Sequence, residues 1–188
     1  MKRSILVLLG VLLAAVSGPA GEGDKVANFT LSDVNGKEHK LADYSSSKVI
    51  VLMFIATECP VSNAYNERMA KLHEDYKEKG VTFLGINSNK QESVEEIIEH
   101  AKKNGLEFTI LKDHKNAVAD RLEASVTPEI YVLNSSLELL YHGRIDDSQR
   151  EARVTQNDLR IALDLLLSGK TVTTTKTKAF GCTIKRVS

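Results

Sequence analysis

Eight consecutive apolar residues, Val49-Ile50-Val51-Leu52-Met53-Phe54-Ile55-Ala56, end just before the pair Cys59-Pro60. A run this uniform, rich in strand-forming side chains, suits a strand covered on both faces, as in the interior of a largely parallel sheet. The proline fits the first position of a helix, where a missing N–H costs little. Val49–Ala56 therefore reads as a central strand, and Cys59 as the N-cap of the helix that follows. The carboxyl end of such a strand is where α/β proteins open their ligand crevice.

The rest of the chain alternates strand and helix, which is the pattern of an α/β fold. Asn28–Leu31 and Glu38–Leu41 flank Val34-Asn35-Gly36-Lys37 and read as an N-terminal β-hairpin. A helix is expected from about Pro60 to Lys79, with Val61, Tyr65, Met69, Leu72 and Tyr76 on one stripe and Gly80 as its stop. Val81–Asn87 is the next strand. Ser93-Val94-Glu95-Glu96 has the form of a capping box opening a helix whose stripe is Val94, Ile97, Ile98 and Ala101. Phe108–Leu111 is a short strand and Ala117–Leu122 a short helix. Pro128–Asn134 and Leu137–Ile145 read as two strands. Asp158–Ser168 is the last helix, with Leu159, Leu163, Leu166 and Leu167 inward. The tail from Lys170 to Ser188 shows no core stripe and is expected along the domain surface.

Residues 1–20 stand apart. Lys2 and Arg3 precede the apolar run Ile5–Val16, and Ser17-Gly18-Pro19-Ala20 follows. These are the parts of a secretory signal peptide, with cleavage expected after Ala20. As a helix the apolar run covers roughly 18 Å, short of the ~30 Å hydrocarbon core, so no stable membrane anchor is expected. The expected location is secreted or periplasmic, with residues 21–169 as the domain and 170–188 as a tail. The 25 basic and 25 acidic residues cancel, so no electrostatic reason points to nucleic acid as a partner.

Two cysteines remain, Cys59 and Cys182. Export places them in an oxidising compartment, and the count allows one internal disulfide, either a permanent staple or a redox-active pair. The open amides and dipole at a helix start favour a Cys59 thiolate; Glu58, a neighbouring negative charge, opposes it. Cys59-Pro60-Val61-Ser62 is a C-x-x-C pattern whose second cysteine is serine. The Ser62 hydroxyl either faces the Cys59 sulfur or does ordinary work at the helix start. Val126-Thr127-Pro128-Glu129 places a proline at the start of a buried strand, which a cis Thr127–Pro128 bond would explain. Asp146-Asp147 is read as a solvated or capping pair. The histidines are scattered without metal-ligand spacing, so no metal or other cofactor is implied.

Phe54 to Pro60 together with Val126-Thr127-Pro128 resembles the thioredoxin and peroxiredoxin superfamily. More closely, the chain resembles the redoxins grouped with alkyl hydroperoxide reductase and thiol-specific antioxidant proteins. Gly143-Arg144-Ile145-Asp146-Asp147 and Gly181-Cys182-Thr183-Ile184-Lys185 are the more specific motifs. The resemblance implies a thioredoxin-like fold, a central mixed β-sheet flanked by helices, with the threonine–proline bond cis and facing the cysteine. Cys59 matches the first cysteine of the thioredoxin motif, whereas the peroxidatic cysteine of peroxiredoxins falls nearer Ser62. Ala56 stands where the peroxiredoxin pattern has threonine, and neither Arg68 nor Arg144 can be assigned to a peroxidatic site.

The leading expectation is a thiol–disulfide oxidoreductase with Cys59 as nucleophile and Cys182 as resolving thiol. Pro60, Ser62, Thr127 and Pro128 would form the substrate site, the Thr127 backbone pairing with a substrate strand. Its partners would be protein or small-molecule thiols and disulfides, with an external thiol as reductant. The alternatives are a peroxiredoxin-like hydroperoxide reductase and a non-catalytic binding module stapled by the two cysteines.

Overall fold

The computed structural model describes residues 23–187, so the signal-peptide reading of residues 1–20 falls outside it. Strands β1 (Thr30–Asp33) and β2 (Glu38–Lys40) form the expected antiparallel hairpin. In its turn Gly36 takes φ 83°, while the Asp33 carboxylate accepts from the amides of Asn35 and Lys37. Then come β3 (Val49–Phe54), α1 (Pro60–Asn63), α2 (Asn66–Tyr76), β4 (Val81–Asn87) and α3 (Val94–Asn104). The chain continues through β5 (Thr109–Lys112), α4 (Ala117–Leu122), β6 (Val126–Thr127), β7 (Glu129–Asn134), β8 (Leu139–Gly143), α5 (Asp158–Leu167) and β9 (Cys182–Thr183).

Seven strands form one sheet in the order β2-β1-β5-β4-β3-β7-β8. β3 and β4 are parallel, as are β4 and β5; β7 runs antiparallel beside β3, and β8 antiparallel beside β7. The sheet is mixed, and the architecture is the expected α/β thioredoxin-like one.

The uniform run in β3 has a simple cause. Val49, Val51 and Met53 enter one core; Ile50, Leu52 and Phe54 enter the other. The first core is closed by Met69, Leu72 and Tyr76 of α2, Ile97 of α3 and Leu159 and Leu163 of α5. The second is closed by α4 through Val118 and Leu122, by Phe29 near the N-terminus, and by Ile184 of the tail.

Three expectations need correction. The helix from Pro60 is interrupted: α1 is a single turn, Tyr65 steps out of helical geometry with ψ −4°, and α2 restarts at Asn66. The stripe continues across the break because Tyr65 remains buried, which is why periodicity concealed it. In α3 the capping box of Ser93 and Glu96 forms as expected and Ile97 is buried, but Ile98 faces solvent. The tail is more than a surface strap: Val172 and Ile184 are both buried, each in a different core. Among the described residues, no helix is long and apolar enough to cross a membrane.

Candidate functional site

The chain leaves β3 at Phe54 and turns into α1 at Cys59. Cys59 is the N-cap, with extended backbone (φ −82°, ψ 115°), and Pro60 is the first helical residue. The Cys59 Sγ accepts from the Ser62 N–H at 3.3 Å. Ser62 itself is fully buried, and its hydroxyl accepts from the Ala56 N–H at 3.2 Å. As an acceptor, that hydroxyl ties the end of the strand to the first helical turn. Because α1 is one turn long, few peptide dipoles align behind Cys59. Stabilisation of a thiolate there is local, from the Ser62 amide, rather than from a long helix.

The Thr127–Pro128 bond is cis. The Thr127 carbonyl oxygen lies 3.3 Å from Cys59 Sγ, so the proline loop faces the cysteine. The edge expected to receive a substrate strand is already filled. β6 pairs antiparallel with β9, Thr127 opposite Cys182 and Val126 opposite Thr183. Cys182 is disulfide-bonded to Cys59, with their Cα atoms 5.8 Å apart. Pro60 is exposed at the rim, Cys59 and Thr127 are buried, and Cys182 is half-buried.

The tail reaches this position through ordered contacts. The Thr177 amide donates to the His142 carbonyl and the His142 amide to the Thr175 carbonyl. Thr177 Oγ1 also contacts the Tyr141 hydroxyl and accepts from the Arg144 amide. Past Cys182, the Ile184 amide donates to the Ser125 carbonyl, and the Val187 amide to Asn116 Oδ1 at 2.7 Å. Gly181 lies so close to the Thr127 carbonyl that a Cβ would collide with backbone. A Gly181→Ala variant is therefore expected to fold but to lift β9 from β6. Thiol counting after air oxidation should show a several-fold lower disulfide content than wild type. An unchanged content would mean that this close approach is not required.

Glu129, directly after Pro128, braces the loop from below. Its carboxylate accepts from the amides of Ser125 (2.8 Å) and Val126 (3.1 Å) and from His142 Nε2 (2.6 Å). Burial opposes ionisation of Glu129, but the His142 hydrogen bond and the two amides outweigh it and hold the carboxyl below its ordinary range. A depressed carboxyl pKa contributes stability that is present above the unfolded value, ~4.3, and is lost as pH falls through the folded one. Glu129→Gln is expected to be less stable than wild type by about 1–3 kcal/mol at pH 7. Denaturant titrations should show that gap closing in acid; a gap constant down to low pH would contradict the assignment.

A polar cleft of about 200 Å³ opens beside the disulfide, lined by Cys59, Cys182, Glu58, Gln91, Asn89, Glu92 and Lys185 among others. Two of its buried residues escaped the sequence reading. The Glu92 carboxylate accepts from the amides of Thr57 (2.9 Å) and Glu58 (3.1 Å) and from the side chains of Asn87 and Asn89. Asn89 Oδ1 accepts from the Lys185 amide at 2.8 Å. Behind them the buried Lys112 ammonium donates to Asn87 Oδ1 and the Asn89 carbonyl, and burial pushes its pKa down. The available signal was position: Asn87 ends β4, parallel to and beside β3, so the segment after it emerges at the same edge as Cys59.

Neither available arginine is directed at the cysteine. Arg68 is held by Asp146 at 2.5 Å and by the carbonyls of Ser148 and Gln149; Arg144 is held by Asp158 at 2.7 Å. Asp146, read as solvated or capping, is buried; it caps by accepting from the Ser148 amide at 3.1 Å, and it also takes Arg68 and the Tyr65 hydroxyl, the latter at 2.9 Å. Asp147 does cap, accepting from the Thr155 amide and hydroxyl. Among the described residues, no group of three or more His, Cys, Asp or Glu is placed to hold a metal ion.

A family model described as AhpC/TSA matches residues 22–145. A thiol-disulfide oxidoreductase ResA from Halalkalibacterium halodurans is 29% identical over 149 residues, covering 74% of this chain and 82% of that protein. A chloroplastic peroxiredoxin Q from Triticum aestivum is 30% identical over 62% of this chain, which spans only 51% of that relative. Among solved structures, a hypothetical protein from Sinorhizobium meliloti superposes with a TM-score of 0.84 at 34% identity, covering 91% of this chain and 97% of that one.

Proposed function

The chain belongs to the AhpC/TSA family, and from that premise we propose that it is a thiol–disulfide oxidoreductase cycling the Cys59–Cys182 pair. One observation carries the proposal: the disulfide joins a helix N-cap cysteine to a strand seated on the cis-Pro128 loop, beside an open polar cleft. A disulfide placed only to staple the tail has no need of a cleft beside it.

The chemistry is exchange. A thiolate of an external thiol attacks one sulfur, the Sγ–Sγ bond breaks, and the other sulfur leaves as a thiolate. A second thiolate then attacks the mixed disulfide, releasing the oxidised external thiol as its disulfide and leaving both cysteines reduced. Two electrons have passed to the protein. Run in reverse, the Cys59 thiolate attacks a substrate disulfide and Cys182 resolves the mixed disulfide. Ser62 holds the sulfur through its amide, and Thr127 and Pro128 form the opposite wall. The Thr127 edge accepts an extended substrate segment only when β9 steps away, which favours small thiols and disulfides as long as the tail is docked.

The test is catalysed reduction of a small disulfide by an external dithiol. Turnover is expected from wild type and not from Cys59→Ser; equal rates for the two would refute the proposal. Export is part of the same proposal, and it rests on the charged start, the short apolar run and the small residues that close positions 1–20. The mature protein from its native host should begin near residue 21 by mass. An intact chain carrying Met1 would count against that part.

A further inference from the structure

Cys59 and Cys182 lie on segments that reach the site from opposite ends of the chain, and neither is long or regular enough to hold itself. The segment before Cys59, from Ile55 to Glu58, lies between a strand and a one-turn helix. The segment after Cys182 leaves the two-residue β9 as irregular chain. Both are gripped by the same group of side chains. Glu92 takes the amides of Thr57 and Glu58, the two residues preceding Cys59. Asn89 donates to Glu92 through its Nδ2 and accepts the Lys185 amide through its Oδ1. The Lys90 amide donates to the Lys185 carbonyl at 2.9 Å, so Lys185 is held on both sides of its backbone.

We infer that Glu92 and Asn89 are positioning residues that hold the two cysteine-bearing segments in bonding register and so set the stability of the Cys59–Cys182 disulfide. The inference rests on the proposed redox cycling of that pair and adds what tunes it.

The arrangement is costly to build by accident. Glu92 is 2% and Asn89 4% exposed. A buried carboxylate requires donors on all sides, and Glu92 receives two amides and two side-chain N–H groups, with Lys112 one step behind through Asn87 and Asn89. Two of the Glu92 partners, Asn87 and Asn89, are near it in sequence and satisfy its own loop. The other two lie more than thirty residues back, at the two amides before the cysteine. Asn89 reaches more than ninety forward to the tail. Fixing both segments in the folded protein raises the effective concentration of one thiol at the other, which strengthens the disulfide relative to the free thiols.

Charge acts in the same direction. Once the bond opens, the Cys59 thiolate shares the cleft with the carboxylates of Glu58 and Glu92 and with the ammonium of Lys185, while Lys112 lies behind. A fixed negative charge at Glu92 disfavours a second one at Cys59. That raises the cost of the reduced, ionised state and further favours the disulfide.

The two residues make separable predictions. Asn89→Ala loosens the Cys182 side alone. It should lower the equilibrium constant for forming the disulfide about tenfold against a reference dithiol, equivalent to ~30 mV, and leave the pH profile of Cys59 alkylation unchanged. Glu92→Gln keeps the shape, removes the charge and leaves one acceptor for two amides. It should lower the constant at least as much and also move the Cys59 alkylation profile to lower pH, read in a Cys182→Ser background. Thermal unfolding of the oxidised variants shows that each is folded. If one variant does not fold, the other still decides the inference. Folded variants with wild-type disulfide stability would overturn it. A wild-type disulfide that no thiol buffer opens contradicts the proposed function instead. In that case the alkylation profile in the Cys182→Ser background decides whether Glu92 acts on Cys59: a shift upholds its positioning role, and no shift overturns it.

Discussion

Reducing the Cys59–Cys182 bond is expected to lower the melting temperature of the protein by about 10–20 °C. The bond closes a loop across a sequence separation of 123 residues. In the chain-entropy picture, a loop near that length restrains the unfolded chain by about 4–5 kcal/mol. For a domain of this size each kcal/mol moves the melting point by about 2–4 °C. The native contacts of the tail do not replace this effect, because they are lost on unfolding whether or not the bond is present. Thermal unfolding with and without reductant, and of Cys182→Ser, measures it. Wild type under reducing conditions should melt close to the variant. A difference between oxidised and reduced wild type of only one or two degrees would mean that the tail does not remain folded on the domain up to the main transition.

The second large effect concerns which sulfur an incoming thiol attacks. In the oxidised protein Cys59 is 4% exposed beneath β9, whereas Cys182 is half-buried at the cleft. Attack at Cys182 also releases Cys59 as the leaving thiolate, next to the Ser62 amide that already reaches its sulfur. Access favours attack at Cys182, and the Ser62 amide favours Cys59 as the leaving thiolate against the opposing carboxylates of Glu58 and Glu92. Acid-quenched reaction with limiting thiol, followed by peptide mapping, should find adducts on Cys182 exceeding those on Cys59 by about tenfold or more. Predominant adducts on Cys59 would mean that β9 lifts before attack rather than after it. The roles exchange in the reduced protein, where Cys59 is the proposed nucleophile toward a substrate disulfide.

Much of this is legible in the sequence. The β3 run announces itself because a strand between two cores has no solvent face, and the position of Cys59 follows from the proline after it. The capping box of α3 was readable because its two partners are three residues apart. What escaped reading was long-range or hidden by continuity. The break between α1 and α2 leaves the apolar stripe intact, so periodicity passes over it. The docking of the tail depends on two isolated apolar residues, Val172 and Ile184, and on backbone pairing to Thr127, neither of which makes a local pattern. Glu92 sits in a run of polar residues that reads as a solvated loop. Its burial follows from where β4 ends beside β3, which only the assembled sheet shows. The burial of Asp146 is hidden for the same reason: its capping of Ser148 is local, but its further partners Tyr65 and Arg68 come from the other half of the chain.

The most direct test of redox cycling at Cys59–Cys182 is the reduction potential of that pair. The purified protein would be equilibrated in thiol buffers of graded potential, trapped by alkylation and read by mass. The account predicts a reversible two-electron transition in the range of catalytic pairs, between about −270 and −120 mV. A pair that stays oxidised until the buffer is below about −300 mV, as structural disulfides do, would contradict it.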